Sequence, residues 1–356
     1  MWAYWTMFLL PAVISVFKIN AEVILRRRKV SYGFAGCLFL LFIFVAFRDE
    51  TGGDWFNYVT ILNESMGDSF LEAILRIDPG YGVISWVSNQ VAGGFNLVNI
   101  ICSIIFFIGL LKFCKICAYP WLALVISIPY LVIVVSMGYT RQSVAIGFAM
   151  IAISQLHYSS GSIQKYIFYL ILGCLFHKSA IVLFFYPIVI YARNSSFKLI
   201  LLSIFFIATY VYILEEQLLK LYTNYIVTDY TSSGAYIRIL MSSMACLFYI
   251  LYRKKFIAHQ NSLETSFWGY FSMIGVSLGL VLLISDSTTA IDRVGLYWIL
   301  AQIYILSRLP SLFKKLNLCL YLIIIALYLT VFVVWIFMAD NAYAWLPYKF
   351  ILPELM

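Results

Sequence analysis

Charge is what this chain most lacks. Only 11% of its 356 residues are Asp, Glu, Lys or Arg, 63% are hydrophobic, and the mean hydropathy is +0.94. A soluble domain carries roughly a quarter charged residues, so the composition excludes a water-soluble protein and indicates a polytopic membrane protein. Long polar stretches are also missing, and no segment could build a core of its own. Residues 1–356 therefore read as one membrane-embedded domain. Three isolated histidines, His157, His177 and His259, make no metal cluster. The seven cysteines are scattered through apolar segments; Cys114 and Cys117 are the only close pair, without a second pair or a nearby histidine to complete a tetrahedral zinc site. No metal and no cofactor is expected. The chain shows no Walker motif, no GxGxxG and no nucleophile elbow, and no charge sits mid-span as in a proton relay. Nor does it show an internal repeat, a low-complexity tract or a transporter-like inverted repeat. The first apolar segment, 2–17, lacks a basic n-region and a small-residue cleavage site, so it reads as a retained helix.

What is present is a series of apolar runs. A bilayer core of ~30 Å needs roughly 20 apolar residues per helix. Spans are expected near 2–19, 30–47, 95–111, 120–137, 142–158, 165–176, 179–192, 198–214, 237–252, 265–284, 293–307 and 316–337, about 12 in all. Basic residues orient them. With the Arg26, Arg27, Arg28, Lys29 cluster cytoplasmic, Lys112, Lys115, Lys165, Arg193, Lys198, Arg253, Lys254, Lys255, Arg308, Lys314 and Lys315 fall on the same side. Of the 16 acidic residues only Glu22 and Glu264 join them. Residues 165–191 are long for one span and short for two. A single crossing there would put Arg253, Lys254 and Lys255 outside, so two short helices are expected, with His177 and Lys178 at an external bend. By the same reasoning 81–91 is an external interfacial helix. The external face then carries 48–94, 215–236 and the tail from about 339. Within the first of these, 54–63 and 69–77 have helical spacing.

Four arginines stand at external ends of predicted spans, where the positive-inside rule disfavours them: Arg48, Arg141, Arg238 and Arg293. One such arginine is explained by snorkelling to headgroups. Four in one leaflet suggest a shared anionic ligand, since the planar guanidinium fork suits phosphate. Thr140 is a plausible N-cap for the span that Arg141 opens, and a helix N-terminus itself favours phosphate. Asp292 beside Arg293 suggests a local ion pair. Asp54 and Tyr58 are four apart and would share a helix face. Gly52 and Gly53 permit a turn carrying Asp54 back toward Arg48, and Trp55, Phe56 and Tyr58 could stack on a sugar. Asp49 and Glu50 read as solvated loop, residues 78–81 as a turn. His177 could serve as a general base; His157 and His259 look incidental. From residues alone the chain is a polytopic membrane protein with an external, arginine-rimmed site for an anionic, lipid-linked ligand.

The ordered motifs FRDETGGDWFNY (47–58), DPGY (78–81), GYTRQSVAIGF (138–148), LFHKSAIVLFFYP (175–187), AYIRI (235–239), DRVGLYW (292–298) and WLPYKFI (345–351) resemble the Wzy/EpsG-type polysaccharide polymerases. The resemblance implies an all-α, GT-C-like membrane fold with about 12 transmembrane helices and short external interfacial helices, loops 48–94 and 215–236 lying over the active site. It implies an enzyme of the bacterial inner membrane that joins undecaprenyl-diphosphate-linked oligosaccharide units at the external or periplasmic face, without a nucleotide sugar. By motif, Asp54 and His177 would be catalytic. Arg48, Tyr58, Arg141, Gln142, Ser179, Arg238 and Arg293 would bind substrate and diphosphate. A departure is Gly53 before Asp54 and Trp55 after it, where the family more often has a hydroxyl residue and a tyrosine. Expected partners are the donor and acceptor lipid-linked glycans, membrane lipids, a chain-length regulator and a flippase; no nucleic acid is expected. An O-antigen ligase-like glycosyltransferase, a lipid-linked sugar flippase or exporter, and a non-catalytic subunit of an exopolysaccharide complex remain alternatives.

Overall fold

The computed structural model describes residues 1–24, 31–157, 161–192, 200, 204, 234–284 and 288–351. The basic cluster at 26–29, Arg193, Lys198, nearly all of the expected span 198–214 and most of the loop 215–236 lie outside these residues.

Helices account for nearly all of the described chain. They begin α1 (Trp2–Ile24), α2 (Tyr32–Ala46), α3 (Trp55–Glu64), α4 (Phe70–Arg76), α5 (Pro79–Gln90), α6 (Gly94–Ile116) and α7 (Pro120–Ser127). A wide-turned π segment, Ile128–Val135, continues α7 into α8 (Ser136–Gly138), and α9 (Thr140–Leu156) follows. Next come α10 (Ile163–Cys174), a 3₁₀ turn Lys178–Phe184, and α11 (Phe185–Ala192). The remainder is α12 (Ala235–Leu251), α13 (Arg253–Ile257), α14 (Ser262–Ile284), α15 (Thr288–Gly295), α16 (Ile299–Leu312) and α17 (Asn317–Met338).

Local chemistry explains several starts. Ser31 caps α2 by accepting the Phe34 N–H at 3.3 Å. Ser69 and Glu72 cap α4 reciprocally. Pro79 sits in the first turn of α5, where its missing N–H is harmless. The interfacial helix expected at 81–91 thus starts earlier, at Pro79. Thr140 is not an N-cap; Tyr139 occupies that position and Thr140 is already helical. The span expected at 293–307 is divided: α15 carries Arg293 in its last turn, and α16 follows after Leu296–Trp298.

The central rod runs through α7, the π segment and α8. It is almost wholly buried, whereas less than a third of α17 is. Beside it, α6 and α9 cross so tightly that a Cβ on Gly109 would lie 2.3 Å from the Gly147 carbonyl oxygen. Such small-residue contacts are how helices close-pack where lipid offers no hydrophobic drive. Among the described residues five helices are long and apolar enough to cross a membrane, and four shorter apolar ones join them. Helices α9 and α16 are in neither group, yet both are largely buried. Facing protein rather than lipid, they can carry Gln142 and Gln302 into the interior.

The C-terminal segment braces the polar island at 47–58. Strand β1 (Arg48–Asp49) pairs antiparallel with β2 (Lys349–Phe350). The Gly52 N–H donates to the Ala344 carbonyl at 2.8 Å, and the Tyr348 hydroxyl to that of Phe44 at 2.8 Å. Glu50 forms an ion pair with Lys349. Asp49 and Glu50, expected as plain solvated loop, therefore belong to a small two-stranded joint.

Candidate functional site

Arg48 lies beneath the site. Its side chain is buried at 1% exposure, with Nη1 donating to Val45 O at 2.5 Å and Nε to Thr51 O at 3.1 Å. Nη2 reaches Met137 O at 3.0 Å and Thr140 Oγ1 at 3.4 Å. The guanidinium thereby ties the end of α2 to the junction of α8 and α9. Gly52 makes the close approach possible: its φ is +119°, and a Cβ there would lie 2.1 Å from the Met137 carbonyl oxygen. Burial pulls the Arg48 pKa down to about 10, so it stays cationic at neutral pH. Its bonds go to three backbone carbonyls and one hydroxyl of the fold. Where sequence reasoning put a ligand for diphosphate, the structure has a clamp.

From that floor the chain rises to Asp54, the N-cap of α3, whose carboxylate makes no capping bond. Burial raises its pKa above the ordinary aspartate value, opposed by the nearby cations Arg293 and Arg141. Trp55 and Tyr58 are not free to stack on a sugar. Both are buried against Phe95, at ring separations of 4.6 and 6.2 Å; of the three aromatics on that turn only Phe56 is exposed. The Tyr58 hydroxyl instead accepts the Arg141 backbone N–H at 3.5 Å, and the Arg141 guanidinium lies 5.8 Å from the Tyr58 ring.

Arg141 also donates through Nη1 to Asp78 Oδ2 at 2.6 Å. Asp78 belongs to the stretch read as a turn and nothing more. The Gly80 N–H beside it donates to Leu175 O at 2.7 Å, joining this turn to the segment that carries His177. The Nε of Arg141 is buried and, among the described residues, has no partner; the same holds for Gln142 Oε1 and the Tyr130 hydroxyl. Buried polar atoms are rarely left so; Tyr81, Ser85, Asn99, Ser272 and Arg308 carry such atoms as well.

The other wall is built around Gln142, whose Nε2 donates to Arg293 O at 2.8 Å and approaches Ser179 Oγ at 3.5 Å. Ser179 Oγ in turn lies 2.6 Å from His177 Nδ1 and 3.1 Å from the Tyr297 hydroxyl. His177 has its pKa lowered to about 3 by burial, with Arg293, Arg141 and Lys178 adding repulsion. Arg293 lies over the Tyr139 ring at 5.4 Å and, among the described residues, forms no ion pair. Arg238 is turned away from such a role. Its Nε and Nη2 both donate to Asp292, and it lies 4.9 Å from the Tyr130 ring presented by the π segment. The partner of Asp292 is therefore Arg238, not its neighbour Arg293.

Asp54, Tyr58, Arg141, Gln142, His177, Ser179 and Arg293 are thus brought together, with Arg238 at the margin and Arg48 below. Sequence reasoning missed Asp78, Tyr130, Tyr139 and Tyr297. One signal was available for Asp78: in a chain with 16 acids, a carboxylate between apolar segments needs a cation. His157, read as incidental, is buried at the far end of α9 and fully engaged. Its Nδ1 donates to Ile153 O at 3.0 Å and its Nε2 accepts from Trp268 Nε1 at 3.1 Å. His259 is exposed.

The fold and site define an all-helical polytopic membrane protein with a polar, arginine-bearing cluster at the helix ends. The family follows from the whole length: the chain matches the EpsG family over residues 33–350 and belongs to it. Membership supports a role of the polysaccharide-polymerase type acting on lipid-linked saccharides. No curated protein and no solved structure matches the chain.

Proposed function

We propose that the protein is a membrane glycosyltransferase of GT-C-like architecture that polymerises undecaprenyl-diphosphate-linked oligosaccharides at the external or periplasmic face of a bacterial inner membrane. The observation that carries this reading is Arg293, held without an ion pair among the described residues beside the incompletely bonded fork of Arg141 and the uncapped Asp54. Phosphate is the ligand that two such forks suit best.

In the reaction, a hydroxyl of the acceptor unit attacks the anomeric carbon of the donor chain. The bond from that carbon to the diphosphate oxygen breaks, its electron pair leaves with the diphosphate, and Arg141 and Arg293 stabilise the growing negative charge. The hydroxyl proton passes to Asp54 and then to water. The products are a longer glycan on the acceptor lipid and free undecaprenyl diphosphate. Of the two groups considered as base, Asp54 gains proton affinity from burial while His177 loses it. Asp78 holds the Arg141 fork in place, and Arg238 with Asp292 buttresses the wall behind Arg293.

The test is Arg141→Ala in cells. The variant should insert normally and abolish polymer, with single repeat units persisting on lipid. Polymer of normal length from that variant contradicts the assignment.

A further inference from the structure

His177 carries an inference that the reaction scheme leaves untouched. We propose that His177 is a neutral hydrogen-bond donor whose proton is held on Nε2 by a Tyr297–Ser179 chain. That N–H is offered to a phosphate oxygen of the lipid-linked donor. The residue is then an electrophilic partner of the arginines and not the base. The ligand assignment rests on the polymerase reading; the tautomer does not.

The direction of the proton follows from groups with only one possible role. The Ser179 backbone N–H points at His177 Nδ1 at 3.3 Å and can only donate, so Nδ1 is unprotonated. Ser179 Oγ, 2.6 Å from the same nitrogen, must then donate its own proton to it. This frees the Ser179 oxygen to accept, and both the Tyr297 hydroxyl at 3.1 Å and Gln142 Nε2 at 3.5 Å are placed to donate. A neutral imidazole with a bare Nδ1 carries its hydrogen on Nε2. The turn depends on this arrangement, because His177 is the N-cap of the segment Lys178–Phe184 and caps it through that nitrogen.

Protonating Nδ1 would break both bonds it accepts. It would also add a positive charge beside Arg293 of α15, Arg141 of α9 and Lys178 of its own segment, the cations that already repel it. Among the described residues nothing accepts from Nε2. An N–H donor beside two arginines complements an anion; it cannot take a proton from a hydroxyl. His157 is an internal contrast. There a carbonyl meets Nδ1 and an indole N–H meets Nε2, so its proton sits on the opposite nitrogen.

The test combines a spectrum with an activity. In protein labelled with ¹⁵N-histidine and held in lipid nanodiscs, the His177 signals are those lost in His177→Gln. They should show the Nε2-protonated tautomer, unchanged between about pH 8 and about pH 5, where a free histidine would titrate. His157 should show the Nδ1-protonated form in the same sample. A His177 signal protonated on Nδ1, or turning into imidazolium over that range, overturns the proposal. In polymer synthesis from lipid-linked repeat units, His177→Gln should stay within about tenfold of the parent, because its amide N–H reaches the same place. His177→Ala should fall by about 100-fold or more, the loss typical of one charge-stabilising donor. A Gln variant that is folded yet as inactive as Ala overturns the donor role. A parent protein that makes no polymer while showing the predicted tautomer counts against the polymerase reading instead.

Discussion

Helix α9 has a histidine environment at each end, and the two are built to opposite purposes. At its C-terminus His157 is buried, with both ring nitrogens satisfied by Ile153 and Trp268, and Trp268 stacks on Tyr304 at 4.0 Å. Near its N-terminus, Gln142 approaches Ser179, which satisfies one nitrogen of His177 and leaves the other without a described partner. The arginines divide in the same way. Arg48 spends its donors on carbonyls of the fold, while Arg141 keeps a buried Nε unpartnered and Arg293 forms no ion pair among the described residues. A closed polar cluster contributes to stability, because removing one member strands the others. An open one calls for an explanation, of which a completing ligand or water is one. On the proposed function, the difference separates residues that hold the fold from those that would meet the ligand.

The largest effect that sharpens this contrast belongs to Asp54→Asn. It should lower polymer synthesis by about 100-fold or more without shifting the melting temperature, since the carboxylate caps nothing. The pH profile gives the sign. A base works deprotonated, so activity should rise with pH through the Asp54 pKa, and burial places that limb above the ordinary value of 3.8. With its pKa near 3, His177 should add no limb close to neutrality. An unchanged acid limb in Asp54→Asn would show that another group is the base.

Arg48→Met should act through stability. Stranding buried carbonyls at Val45, Thr51 and Met137 should cost on the order of 3 kcal/mol, read as a lower melting temperature in detergent. Activity should survive at low temperature if Arg48 is a clamp, and vanish from well-folded protein if it also grips substrate. His157→Phe is the mildest case. Losing two hydrogen bonds in a packed aromatic cluster should cost about 1–3 kcal/mol with polymer length unchanged at permissive temperature. A change in polymer length there would erase the distinction between the two ends.

Much of this architecture is legible in the sequence because few charges must satisfy many apolar neighbours. The helices fall close to the apolar runs, and α10 and the Lys178–Phe184 turn flank His177 where a bend is required. Asp54, Arg141, Gln142, His177 and Ser179 could be picked out by the motifs that contain them. What was hidden is pairing across long separations. Arg141 meets Asp78 over 63 residues and Ser179 meets Tyr297 over 118, so neither partner announces itself locally. Residues 78–81 satisfy a turn pattern whether or not an arginine lies above them. Arg48 misleads for a related reason. An arginine at the end of an apolar run looks available until its own turn, through Val45 and Thr51, and the distant Met137 carbonyl close around it.

The most direct measurement is reconstitution of the purified protein in proteoliposomes with undecaprenyl-diphosphate-linked repeat units, the products resolved by length. The parent should yield a ladder and release one undecaprenyl diphosphate per linkage formed, and Arg293→Ala, folded and inserted, should leave single units on lipid. A parent protein that binds the lipid but makes no ladder, or an Arg293→Ala protein that polymerises at the parental rate, would contradict the account.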